Sequence, residues 1–209
     1  MEKEVLAEDA PGSKVHVLSN IHHVPGRDRA FSDRKDIYFV GGYQHPPNID
    51  AVKWFVNEIW PLVHEQLPDL KFHLIGSQAP KQVKALAGNG VVFHGHVDSK
   101  EPFLNGCRLA VAPLRYGAGV KGKLNMSMAH GQPLVITSAA AEGLFGEHER
   151  EFLLADDAEA FAREIVRLYQ DEALWNRLSD ASVKNVEEHF SVNAARDNLE
   201  TLFKSLDEK

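Results

Sequence analysis

The sequence predicts an α/β protein: a mostly parallel sheet, helices on both faces, and a helical C-terminal tail. Three observations predict it. Short apolar runs alternate with longer amphipathic ones as far as residue 156. Several of those runs are apolar at nearly every position, as strands covered on both faces require. Beyond residue 156 the pattern turns wholly helical.

Taken in order, "VHVLS" (15–19) reads as a first strand. The polar, breaker-rich stretch 20–35 reads as a connecting loop. "DIYFVGG" (36–42) is the next strand. Asn48 or Asp50 then caps a helix through "AVKWFVNEIWPLVHEQL", where Val52, Phe55, Val56 and Ile59 keep a helical period and Pro61 predicts a kink or break. "LKFHLIG" (70–76) is a strand, and "PKQVKALAG" a short helix closed by Gly88. "VVFHG" (91–95) is a strand, and "SKEPFLNG" a helix running from an N-cap serine to Gly106. "LAVAPL" (109–114) and "PLVIT" (133–137) are buried strands, and "EFLLAD" (151–156) adds a seventh. Asp156-Asp157 reads as the N-terminus of the next helix, where carboxylates favour the dipole. "AEAFAREIVRLYQD", "EALWNRLSDASVKNVEEHF" and "SVNAARDNLETLFKSL" complete the helical tail.

With 209 residues, 44% of them hydrophobic and 25% charged, the chain bounds itself at one or two globular domains. A core of this size can form without disulfides or a structural metal. The single cysteine, Cys107, forms no intramolecular bridge and fits a reducing compartment. A net charge of −7 argues against nucleic acid as a partner, yet a local pocket on an acidic protein can still take an anionic small ligand. No apolar run reaches the ~20 residues of a membrane span, and the first residues do not read as a signal peptide. The expected location is cytoplasmic.

The densest motif is "YGAGVKGKLNMSMAHG" (116–131). Gly117, Gly119 and Gly122 spell the dinucleotide pattern G-x-G-x-x-G. Gly117, Gly122 and Lys123 spell most of a P-loop. The P-loop fails because Leu124 stands where a hydroxyl should hold magnesium. The dinucleotide pattern fails because Arg115 and Tyr116 interrupt the approach, and the later strand ends in Thr137-Ser138 with no carboxylate for a ribose. The physics common to both survives. A strand leads through a glycine-rich turn into a helix that starts near Lys121 to Lys123, so backbone amides, a helix dipole and a lysine meet where a diphosphate would fit. In parallel sheets ligands bind beyond the carboxyl ends of the strands, which selects loops 41–48, 76–80, 94–99 and 114–123.

These residues, with "FVGGYQHPPNIDAVKWF", "LIGS", "VVFHGHVDS", "VAPLRYGAGVKGKLNMSMAHGQPLVITSAAAEGL", "LLADDAEAFAREIVRLYQDEALW" and "HFS", resemble the C-terminal, donor-binding half of GT-B glycosyltransferases of group 1 (family-4-like). The likeness runs from about residue 36 to 190. It implies a single Rossmann-like GT-B half, with residues 1–35 as an N-terminal strand and interdomain-type connection, 36–190 as the nucleotide-sugar-binding domain, and 191–209 as a C-terminal helix.

The resemblance also implies a nucleoside-diphosphate sugar, such as a UDP-sugar, as substrate, with no cofactor or metal. Gly41, Gly42, Gly117, Gly119, Lys121, Lys123, Asn125 and Glu142 would surround the diphosphate and sugar. Lys123 would make the direct contact and Lys121 would assist from the loop. His94, Gly95, His96 and Val97 would hold the nucleobase. Two positions depart from the family pattern: Met126 stands where relatives carry the ribose-binding Glu or Gln, and Ala118 where they carry an acid. Asn125 is a weaker substitute for the first.

A full GT-B enzyme has two α/β domains, and this chain has the length of one. The expected partner is therefore an acceptor-binding domain, in a longer chain or a second one, and the isolated domain is expected to transfer little sugar. No catalytic residue is assigned. Two other functions compete: an interaction module that kept the fold but lost the ribose acid, and a GT-B sugar-nucleotide epimerase.

Of the remaining residues, His94 and His96 alternate at a strand end but find no third metal ligand at helical spacing. Trp54, Phe55, Trp60 and Trp175 read as core. Cys107 has no activating partner in the sequence.

Overall fold

The computed structural model describes residues 6, 8–10, 16, 18–117, 119 and 121–207. Six parallel strands form one sheet in the order β3-β2-β1-β4-β5-β6: β1 Ile37–Val40, β2 Phe72–Ile75, β3 Val91–Gly95, β4 Leu109–Ala112, β5 Leu134–Ile136 and β6 Leu153–Leu154. Between them run α1 Pro46–Trp54, α2 Trp60–Gln66, α3 Lys81–Lys84, α4 Glu101–Gly106, α5 Gly122–Ala129 and α6 Ser138–Ala141. The tail is α7 Ala158–Gln170, α8 Glu172–Phe190 and α9 Val192–Asp207. This is the Rossmann-like α/β architecture. Its strand order reverses between β1 and β4, so their carboxyl ends flank the switch crevice.

Both faces of the sheet are covered. Ile37 pairs in register with Phe72, and Phe55 packs on Phe72 at 4.3 Å and on Phe161 of α7 at 6.0 Å between ring centroids. Tyr38 points the other way, its hydroxyl 2.7 Å from Ser127 Oγ of α5 and its ring beside Phe103 of α4. All residues of β4 and β5 are buried, which explains their unbroken apolar runs.

Two expected elements differ. The first expected strand, at 15–19, is not found: His16, Leu18 and Ser19 are not in a strand, and Val15 and Val17 lie outside the described residues. An apolar alternation alone does not supply a pairing neighbour, and the described sheet ends at β3 and β6. The helix after β1 starts earlier than Asn48 or Asp50. His45 is its N-cap, and Pro46 and Pro47 occupy the first turn, where a missing N–H costs nothing. Pro61 does break the run. A proline displaces the carbonyl four residues back, and the chain answers with a π-helical stretch at Phe55–Ile59 in which Trp60 N–H donates to Phe55 O.

The aspartates at the start of the tail each do a capping job. Asp157 accepts from Ala160 N at 2.8 Å at the start of α7, and Asp156 accepts from Ser138 N at 2.8 Å at the start of α6. Asp171 caps α8 through Leu174 N at 2.9 Å. Trp175 on α8 is fully buried, donates from Nε1 to Arg108 O at 2.6 Å, and stacks under the guanidinium groups of Arg27 and Arg34. Arg34 is itself buried and donates to Leu104 O at 2.7 Å and His130 O at 3.0 Å. Among the described residues no helix is long and apolar enough to cross a membrane.

Trp175→Ala removes a large buried ring and leaves Arg108 O and two guanidinium groups without their contact. It is expected to destabilise the fold by about 3–5 kcal/mol, measured by urea denaturation; a loss below 1 kcal/mol would contradict this packing.

Candidate functional site

The site is assembled where the β1 and β4 loops face each other. Gly41 N–H donates to Ile75 O at 3.0 Å, which carries the chain straight on past β1. A Cβ on Gly41 would come within 2.8 Å of Asn48 Cγ and 2.9 Å of Phe39 Cε1, so only glycine lets those side chains close in. Gly76, at the end of β2, meets Gly41 O backbone to backbone; any Cβ there would collide with that carbonyl.

Asn48 is the residue sequence reasoning misplaced. It is buried within the first turn of α1, its Nδ2 donating to Gly42 O at 2.8 Å and its Oδ1 accepting from Lys123 Nζ at 2.8 Å. One carboxamide therefore ties the β1 loop to the N-terminus of α5. The two prolines before it are the signal that could have excluded a capping role.

Lys123, in the first turn of α5, sits with Nζ 4.6 Å from the Phe39 ring centroid. Burial, and secondarily the charge of Lys121, push its pKa down to about 8. Lys121, the N-cap residue, is nearly buried, and its Nζ donates to Gly117 O at 3.2 Å. Burial lowers its pKa too, opposed by the carboxylate of Glu142, which closes α6 beyond β5. The loop between is held open by Gly117 at φ 122° and Gly119 at φ 82°, left-handed values that favour glycine. It thus carries two cations and a helix N-terminus at one end of the crevice.

The expected nucleobase residues lie farther along the same carboxyl edge. Gly95 has φ 72°, and its carbonyl accepts from Gly76 N–H at 2.8 Å. His94 Nε2 lies 2.9 Å from His73 Nδ1, and His73 Nε2 lies 3.3 Å from Asp36 Oδ2. Burial first, then His73, lowers the His94 pKa. His96 is exposed, and Val97 packs against the core. Asn125 is fully buried and neither atom of its amide has a partner, while Met126 packs against the core.

No group of three or more His, Cys, Asp or Glu among the described residues could hold a metal. Cys107 is buried, which raises its thiol pKa. A cavity of about 430 Å³ flanks the glycine loop on the outer side of α1, between Trp54, Tyr116 and the Asp50–Arg115 ion pair.

The family model described as "Glycosyl transferases group 1" matches residues 34–171. The chain belongs to that family. A Klebsiella pneumoniae relative, an uncharacterized 44.6 kDa protein in the cps region, is 25% identical over 158 residues, covering 69% of this chain and 41% of its own length. Among solved structures, TarM superposes with a TM-score of 0.79 at 18% identity, over 97% of this chain and 41% of TarM; TarM of S. aureus has also been solved with UDP. The pneumococcal O-GlcNAc transferase GtfA, solved with UDP and GlcNAc, gives 0.73 at 19% identity, over 99% of this chain and 43% of GtfA. The structural likenesses show the GT-B fold. The chain spans about two-fifths of the length of these proteins.

A lysine with a folded pKa near 8 against an ordinary 10.5 is held more tightly protonated by the unfolded chain. Stability therefore rises as pH climbs through the interval from 8 to 10.5, and is insensitive to this group below it. Urea denaturation of wild type and Lys123→Met across pH 7–10 should show wild type gaining on the variant only above pH 8. A constant difference would place the ammonium in solvent.

Proposed function

We propose that the chain is the donor-binding half of a group-1 glycosyltransferase. It takes a nucleoside-diphosphate sugar at residues 36–190, between the connecting segment 1–35 and the C-terminal helix 191–209. An acceptor-binding half, in the same or another chain, would supply the opposite wall of the cleft. The observation that carries this reading is the buried ammonium of Lys123, held by Asn48 where the β1 and β4 loops meet. A desolvated cation beside a helix N-terminus stabilises an arriving diphosphate far better than one in water. The UDP found with TarM and GtfA agrees with this chemistry.

The reaction forms a bond between the acceptor oxygen and the anomeric carbon as the bond from that carbon to the diphosphate breaks. The electron pair goes to the diphosphate, and the acceptor proton goes to a base from the other half. Charge gathers on the departing phosphate oxygens. Lys123, Lys121, the α5 amides and the Gly41–Gly42 amides would stabilise it without a metal. Glu142 would face the sugar, and His94 to Val97 the base. Without the acceptor half the chain would bind donor and transfer little.

Met126, apolar where the ribose hydroxyls would be met, favours a second reading: a binding module that no longer turns over. Thermal-shift measurements with UDP, GDP and ADP separate the two, because a module that has lost its ligand is stabilised by none of them.

Isothermal titration is expected to show UDP binding to wild type, and Lys123→Ala weakening it at least about tenfold, ~1.4 kcal/mol. Equal affinities would remove Lys123 from the site.

A further inference from the structure

We propose that His22 is a further ligand-contacting residue of this cradle, donating to a phosphoryl oxygen at the N-terminus of α5. The inference rests on the nucleoside-diphosphate reading above and adds a residue to it from a separate part of the chain.

Residues 20–27 lie as a strap along α5. His22 N–H donates to Phe190 O at 2.7 Å, and Gly26 N–H donates to Ala129 O at 3.1 Å. Gly131, just past the end of α5, faces Arg27 so closely that a Cβ would come within 2.7 Å of Arg27 Cβ. At the other end of the helix the strap covers Gly122. A Cβ on Gly122 would sit 3.6 Å from His22 Cε1, 3.7 Å from His22 Nε2 and 3.8 Å from Asn20 Nδ2. Three residues on, and so on the same helix face, is Asn125.

Here the polar groups do not pair. His22 Nε2, Asn125 Nδ2 and Asn125 Oδ1 are all buried, and none has a hydrogen-bond partner. Buried polar atoms are nearly always satisfied, and isolated exceptions call for a cause. Three on one face of the first turn, beside helix amides that have no intrahelical acceptor, indicate a partner that arrives from outside. Most of the available groups are donors: an imidazole N–H, a carboxamide NH₂ and backbone amides. The matching ligand atoms are acceptors, and next to Lys121 and Lys123 they are anionic oxygens. The ring must turn about its side-chain bonds to meet them, since Nε2 is buried.

The titratable groups around His22 are His23 on the strap, Lys121 and Lys123 on either side of Gly122, and Glu187 of α8, with which it shares a cavity. Burial lowers the His22 pKa, which favours the neutral ring before binding. A phosphate dianion favours its protonated form, so binding draws a proton onto the ring. Affinity for UDP should then gain, as pH falls from 8 to 6, relative to any variant lacking the imidazole.

The test is titration of the full 209-residue chain with UDP at pH 6, 7 and 8, for wild type, His22→Phe and His22→Gln, with melting temperatures recorded for each. The expected result is a loss of about fivefold or more in affinity for His22→Phe at pH 6 that shrinks at pH 8. His22→Gln, a neutral donor, should match wild type more closely at pH 8 than at pH 6. Folded variants that keep both the wild-type affinity and its pH dependence would overturn the role of His22 alone. Absence of UDP binding by wild type would overturn the donor reading and this inference together.

Discussion

A single buried hydrogen bond, from the ammonium of Lys123 to the carboxamide oxygen of Asn48, ties together the two halves of the sheet's switch point. Lys123 starts the helix after β4, and Asn48 belongs to the first turn of the helix after β1. A charged amine out of water is costly unless its protons are met, so this contact constrains everything around it. The Phe39 ring takes the cation's other side. Gly41 must lack a side chain for Asn48 and Phe39 to reach it, and Gly76 must lack one for Gly41 to lie where it does. The glycines of the crevice are thus explained by the lysine, as much as by any ligand.

The same contact sets what the site can do. An ammonium already desolvated is primed for a stronger acceptor than a neutral amide oxygen. A diphosphate is such an acceptor, and it would find Lys121, the α5 amides and the loop glycines facing the same space. Membership of the group-1 glycosyltransferases and the GT-B fold fit this electrostatic arrangement. Asn48 keeps the lysine in position at the mouth of the sheet.

Much of this was legible in the sequence, for physical reasons. Strands buried on both faces are apolar throughout, so β1 to β5 could be read within a residue or two of their ends. Asp157 advertised its helix because a carboxylate at an N-cap has one clear use. Lys123 and the loop glycines stood out because a parallel sheet places its ligands at the loop after a buried strand. What stayed hidden depends on tertiary contact. "VHVLS" alternates like a strand, but pattern alone cannot supply the neighbour that a strand must pair with. Asn48 carries the features of a cap, and only the fold brings a lysine 75 positions away against it. The π-helical turn was visible just as a proline, since the register shift is how the backbone accommodates it. The strap across α5 has no periodicity at all, so His22 could not be connected to Gly122 from sequence.

The most direct measurement of the central claim is a crystal structure of this chain with UDP. Density for the diphosphate is expected at the N-terminus of α5, with Lys123 Nζ turned from Asn48 Oδ1 onto a β-phosphate oxygen. Nucleotide bound elsewhere, for instance in the cavity beside Trp54 and Tyr116, with the Asn48–Lys123 bond unbroken, would contradict it.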